Sequence, residues 1–124
     1  MESTEIAERL FAALAGKDDQ AVRSLCSPRL RVQQNDGKPM DLETLLKFSG
    51  AVGQLVDNFR YCDPVRSATA TGFVEEHSVK GTLPSGKTLD FRVCVVADVS
   101  DGKVTDVREY FDSAAAAGLV AALR

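Results

Sequence analysis

The chain has one histidine, no Cys-x-x-Cys pair and three cysteines, Cys26, Cys62 and Cys94, in 124 residues. An odd number of widely spaced cysteines does not make a disulfide framework and suits small apolar residues in a reducing compartment. One imidazole without a thiol pair argues against a zinc site. Basic residues are not in excess: 15 Lys and Arg stand against 18 Asp and Glu, for a formal charge of −3. They are scattered among acids, so no basic field draws nucleic acid or an anionic membrane as a partner. No run approaches the ~18 apolar residues of a membrane span. The opening MESTEIAERL carries acids where a secretory leader carries basic residues, so a cytoplasmic location is expected. Absent too are a phosphate-binding glycine loop, a nucleophile elbow, an internal repeat and a low-complexity linker. This length makes one domain, residues 1–124, able to bury roughly two thirds of its unfolded surface.

Period-two alternation dominates the second half. Leu89, Phe91, Val93, Val95, Ala97 and Val99 share one face of a strand, and Asp90, Arg92, Cys94, Val96 and Asp98 the other. The turn Ser100-Asp101-Gly102 leads into a second strand. A two-residue turn would set Ser100 against Lys103; a three-residue loop would set Val99 there. The hydrophobic pattern favours the loop, which puts Thr105, Val107, Glu109 and Phe111 beside the apolar face and Asp106, Arg108 and Tyr110 outside. Before it, the Pro84-Ser85-Gly86 turn sets Leu83 against Lys87. That adds Phe73, Glu75, His77 and Val79 to the inner face and Lys80 opposite Asp90 as an ion pair on the outer one. At one level His77, Val93 and Glu109 then form a row, with Glu75 a step along beside Val95 and Val107.

Ionisable groups on an apolar face require explanation, because an unpaired buried carboxylate costs several kcal/mol or takes up a proton. Either Glu75 and His77, or His77 and Glu109, simply pair, or this end of the sheet is open to water, or the face lines a solvent-containing pocket holding an acid and a base.

The first half reads as helices with short strands. Ser3 or Thr4 caps a helix with Ile6, Leu10, Phe11 and Leu14 at helical spacing, stopped by Gly16. Asp18 or Asp19 caps a second, ended by Ser27-Pro28. Leu30 to Asn35 alternates weakly as a strand, in which Gln33 and Asn35 are surface or pocket residues. Asp41 caps a third helix through Val56, where Gly50 and Gly53 imply close packing or a bend. Asn58 to Val65 is a poorer strand in which Tyr61 reads as packing. Ser113 caps an alanine-rich tail that can close a pocket, pack on the first helix or join a partner.

Helices followed by a hairpin-linked sheet ending in GKVTDVREYFD, with EEHSVKGTLPSGK before it, resemble the SnoaL-like branch of the nuclear transport factor two superfamily. The resemblance implies an α+β, cone-shaped fold: amino-terminal helices packed on a curved antiparallel β-sheet that encloses a pocket. Limonene epoxide hydrolase, a relative, uses a Tyr-x-Asn, an Arg-x-Asp and an Asp before Tyr-Phe. By resemblance the last falls on Glu109, and the first on Gln33-Gln34-Asn35 with its tyrosine replaced. The Arg-x-Asp falls near Glu75-Glu76-His77, where neither residue matches. Loss of that arginine speaks against epoxide hydrolysis.

The expected site is therefore Glu109 and His77 as acid and base, with Glu109 as base unless the roles are reversed. Glu75, Asn35, Gln33, Val93 and Phe111 would surround the substrate. Such a set suits proton transfer on an apolar carbonyl or polyketide-like metabolite, as an isomerase or cyclase with no cofactor. The alternative is a non-catalytic ligand-binding or dimerising module of the same fold. A homodimer formed through the outer sheet face is expected, with Arg92, Arg108, Tyr110, Val74 and Val96 on the contact surface.

Overall fold

Local rules set the helical first half. In the computed structural model, which describes residues 1–124, α1 (Ser3–Ala15) buries Ile6, Ala7, Leu10, Phe11 and Ala13 on one face. Its start relies on the backbone: Glu2 occupies the cap position without a side-chain bond, and its carbonyl accepts from the Glu5 and Ile6 amides. The Ser3 or Thr4 cap expected above is not used, because both residues already lie at the helix start. Asp18 caps α2 (Asp19–Leu25), accepting from the Ala21 amide at 3.1 Å. Asp41 caps α3 (Leu42–Leu55), accepting from Thr44 at 2.8 Å. Of the two glycines in α3, only Gly53 admits a neighbour. A Cβ there would collide with the Lys17 side chain, whose Nζ donates to the Gly53 carbonyl at 3.0 Å, while Gly50 has open space.

The strands are β1 (Cys26–Gln34), β2 (Asp57–Ala68), β3 (Gly72–Thr82), β4 (Thr88–Ser100) and β5 (Lys103–Phe111), and α4 (Ala117–Ala122) ends the chain. They form one sheet in the order β1-β5-β4-β3-β2. The hairpins β2-β3, β3-β4 and β4-β5 are antiparallel, but β1 runs parallel to β5. The fully antiparallel expectation is thus corrected to a mixed, curved sheet. Hairpin turns dictate direction only between consecutive strands, and β1 is joined to β5 by none. Pro28 lies inside this edge strand, where a missing amide is tolerated, and α2 has already ended at Leu25. Pro64 likewise lies within β2, where the pairing shifts between Cys62 and Val65.

The β3-β4 register is the one expected, with Leu83 bonded to Lys87 and Lys80 opposite Asp90, 3.9 Å apart. The β4-β5 turn differs. Asp101 and Gly102 both have positive φ, 53° and 74°, the conformation of a two-residue type I′ turn. Ser100 therefore faces Lys103 and Val99 faces Val104. A bulge at Thr105, whose hydroxyl donates to the Asp98 carbonyl, then moves the partner by one residue, and Asp98 faces Asp106. Turn and bulge together restore the expected faces, so Val107, Glu109 and Phe111 point inward. The rows move by two residues, and Val104, fully buried, takes the inward place given to Thr105.

The core lies between the inner sheet face and the helices, around Phe73, Leu89, Val95 and Ala97 from the sheet and Ile6, Leu10, Leu46 and Val52 from the helices.

Candidate functional site

With the rows corrected, Glu75, Val95 and Glu109 stand at one level, and His77, Val93 and Phe111 at the next. Glu75 and His77 are neighbours on one face of β3, two residues apart. His77 Nδ1 lies 2.6 Å from Glu75 Oε2, and Arg66 Nε donates to Glu75 Oε1 at 2.6 Å. Arg66 reaches across from β2, where it stands opposite Glu75, and also approaches Glu8 of α1 at 3.6 Å. Glu75 and His77 are 1% and 2% accessible. With Glu75 already accepting from Arg66, the hydrogen of this contact is assigned to Nδ1, and Nε2 is the ring nitrogen left for the cavity. The pairing of Glu75 with His77, one of the alternatives above, is thus what the fold adopts, with Arg66 completing it.

Beyond His77 lies a cavity of about 140 Å³, partly open to solvent, walled by every element except α2. Fifteen of its nineteen lining residues are hydrophobic, and none is Lys or Arg, so the interior carries no fixed positive counter-charge. Val93 and Phe111 form part of its floor, as expected, and His77 and Glu109 both face it. The carboxy-terminal tail forms one wall through Ala116, Leu119, Val120 and Leu123, the first of the roles left open for it. Its turn is held by Asp112, whose side chain accepts from the Ala114 amide, and not by Ser113.

Three expected pocket residues lie elsewhere. Glu75 is sealed beneath His77 by its two partners. Gln33 turns away to donate to the Gly37 carbonyl at 2.9 Å. Asn35, at φ 52°, clamps the end of β1 to β5: its amide donates to the Glu109 carbonyl at 2.7 Å and its Oδ1 accepts from the Phe111 amide at 3.1 Å. The period of two explains the exchange. If Gln33 and Asn35 face one way, Gln34 faces the other, and it is Gln34 that lines the cavity and donates to Glu109 Oε2 at 3.2 Å.

Glu109 keeps some accessible surface, but that surface faces a cavity walled by apolar side chains. Desolvation therefore pushes its carboxyl above the ordinary value, while the Gln34 hydrogen bond and the nearby His77 pull the other way. Tyr61 was read from sequence as packing. It also borders the cavity, its ring 4.6 Å from that of His77, and burial pushes its phenol upward so that it holds its proton. Phe11 meets the other side of the imidazole edge-on at 4.7 Å. No buried side-chain polar atom lacks a partner. His77 Nε2, Glu109 Oε1 and Tyr61 Oη bond to no protein atom, so each opens onto the cavity. Tyr61 had a signal that sequence reasoning passed over: a tyrosine at the inward position of a half-polar strand carries a hydroxyl that needs somewhere to go. Arg66 had none, because its pairing depends on the irregular β2-β3 register.

A curved mixed sheet wrapped by helices around one apolar cavity is the SnoaL-like, ketosteroid isomerase-like architecture of the nuclear transport factor two type. Solved structures share it. A candidate polyketide cyclase from Pseudomonas putida superposes with a TM-score of 0.79 at 21% identity, covering 90% of this chain and 92% of its own. A candidate SnoaL-like polyketide cyclase from Jannaschia gives 0.82 at 17%, covering 98% and 90%. TerC, co-crystallised with polyporic acid, gives 0.81 at 17%, covering 96% and 98%. No protein-family model and no curated protein matches the sequence.

Proposed function

We propose that this protein is a cofactor-free acid–base catalyst that moves a proton on an apolar carbonyl compound, in the manner of an isomerase or cyclase. The observation that carries the reading is that an imidazole nitrogen with no protein partner and a carboxyl held above its ordinary range face the same apolar cavity, which has no Lys or Arg in its lining. The roles reverse those first expected. His77 Nε2 takes the proton from the carbon next to the carbonyl. Glu75, anchored by Arg66, keeps Nδ1 protonated and steadies the imidazolium that forms. Glu109, inclined to hold its proton, donates a hydrogen bond to the enolate oxygen, with the Tyr61 hydroxyl as a second donor. Return of the proton to another carbon completes an isomerisation; attack of the enolate on a second carbonyl forms the ring bond, and the alkoxide so made takes the proton back from His77 to complete a cyclisation. Polyketide cyclase chemistry is suggested by neighbours of the same fold, and the reading is in keeping with TerC, a neighbour co-crystallised with polyporic acid.

The test is incorporation of solvent deuterium at the α-carbon of a panel of neutral ketones and 1,3-diketones, followed by proton NMR. The native protein should accelerate exchange for at least one compound. Glu109→Gln and His77→Gln should each reduce that rate by about 10²- to 10⁴-fold with the fold intact. Exchange unaffected by both substitutions would remove the pair from the mechanism.

The Arg66-Glu75-His77 network also favours a second reading, ligand binding without turnover, since buried groups partnered to one another are what a structural network provides. Saturable binding with no exchange for any compound in the panel would decide for it. We further propose self-association through the outer sheet face, where Tyr110 and Val65 are about half exposed at 49% and 58%. Sedimentation of Tyr110→Glu as a smaller species than the native chain would bear this out.

A further inference from the structure

We infer that the group seated in this cavity is an uncharged, single-ring ketone, smaller than the fused-ring compounds a polyketide-like substrate would suggest. This rests on the acid–base reading of the same site and adds size, charge and shape to it.

Size follows from volume. The cavity holds about 140 Å³, close to the ~150 Å³ of an engineered apolar cavity that takes up benzene, and well below the ~300–1,000 Å³ of pockets that enclose drug-sized ligands. Geometry agrees. His77 and Glu109 stand two strands apart and one inward-facing row apart, roughly 12 Å between their Cα atoms at ordinary sheet spacings. Both side chains face the cavity from different strands, so a group seated in it can meet the two together.

Charge follows from the lining. An anion would enter a space with no Lys or Arg to meet it and would pay its desolvation uncompensated. A cation would need an ionised Glu109, in a setting where apolar walls favour the protonated form. Shape follows from aromatic placement: of eight aromatic residues in the chain, six, namely Phe11, Phe48, Phe59, Tyr61, Phe91 and Phe111, line this one cavity. Such walls offer edges and faces to a planar ring. The limit on a second ring is set by the tail, whose Leu119 and Val120 close one side.

Four probes differ in one property each. Acetophenone is neutral with one ring, benzoate has nearly the same shape with a negative charge, 2-acetonaphthone adds a ring, and tetramethylammonium supplies a cation. Binding is followed through the ring protons of His77, the only histidine. Acetophenone should bind at least tenfold more tightly than each of the others. In Leu119→Ala, 2-acetonaphthone should come within threefold of acetophenone. If that variant does not fold, Val120→Ala, at a half-exposed position of the same wall, serves instead. Equal or tighter binding of benzoate, tetramethylammonium or the two-ring ketone by the native protein overturns the inference, as does no binding of acetophenone. The expected preference without deuterium exchange at the acetophenone methyl group or in any other ketone of the panel would sink the acid–base reading and leave the ligand class standing.

Discussion

Glu75 and Glu109 stand in one row of one sheet, on its inward face, with Val95 between them, yet they are held in opposite ways. Glu75 is enclosed and receives a guanidinium on one oxygen and an imidazole on the other. Glu109 receives one neutral amide and turns its other oxygen to an apolar cavity. A carboxylate that the fold surrounds with donors is fixed in place and can position a neighbour. One that the fold strips of water without supplying a cation is poised to hold or release a proton. The same residue type, in the same row of the sheet, is locked into a network in one place and turned to a cavity in the other, and the difference lies in what reaches it from β2 and from β1.

The strongest way to break this contrast is to remove the cation. Arg66→Met leaves Glu75 buried with only His77, and a loss of about 3 kcal/mol in urea unfolding is expected, since a buried charge is deprived of its partner. Adding Glu75→Gln should recover much of it. A loss below about 1 kcal/mol would mean that Glu75 is not pinned as described.

Glu109→Gln sharpens the contrast from the other side. The folded protein binds the Glu109 proton more tightly than the unfolded chain does, because desolvation raises the carboxyl above its ordinary 4.5. Stability from this group therefore falls as pH rises from the ordinary value through the raised one, and the whole cost is present above that window. Glu109→Gln should be more stable than the native chain at pH 8, by about 1 kcal/mol, with that decline gone from its stability profile. An unchanged profile would show that Glu109 is as well solvated as a surface acid.

Smaller effects come from the residues that aim the two groups. Asn35→Ala removes the side-chain acceptor for the Phe111 amide and takes the backbone at φ 52° away from a residue that tolerates it. A loss of about 1 kcal/mol is expected in thermal melts. Tyr61→Phe deletes a hydroxyl that bonds to no protein atom, so its melting should change by no more than about 0.5 kcal/mol. A larger drop would reveal a structural bond at that oxygen.

Much of the sheet was legible in the sequence because alternation has a period of two, and any even displacement of the register preserves it. Phe91, Val93, Val95, Glu109 and Phe111 were assigned inward correctly although the β4-β5 rows were displaced by two residues. The type I′ turn at Asp101-Gly102 and the bulge at Thr105 each shift parity, and together they cancel. That displacement nevertheless decides which side chains meet, setting Glu109 level with Glu75 and not with His77. Inward placement of His77 and Glu75, the Pro84-Ser85-Gly86 turn and the Asp18 and Asp41 caps were likewise local matters, readable from a few neighbouring residues.

What the sequence determined by itself was thus the set of elements, the inward face of each central strand and the presence of an acid and a histidine on it, because propensity, capping and alternation act over a turn or two of chain. Tertiary structure alone decided the parallel docking of β1 that brings Gln34 and not Gln33 or Asn35 to the cavity, the reach of Arg66 to Glu75, the packing of the tail against the pocket and the volume left inside. These depend on contacts between residues far apart in the chain, and no local pattern records their distance or direction.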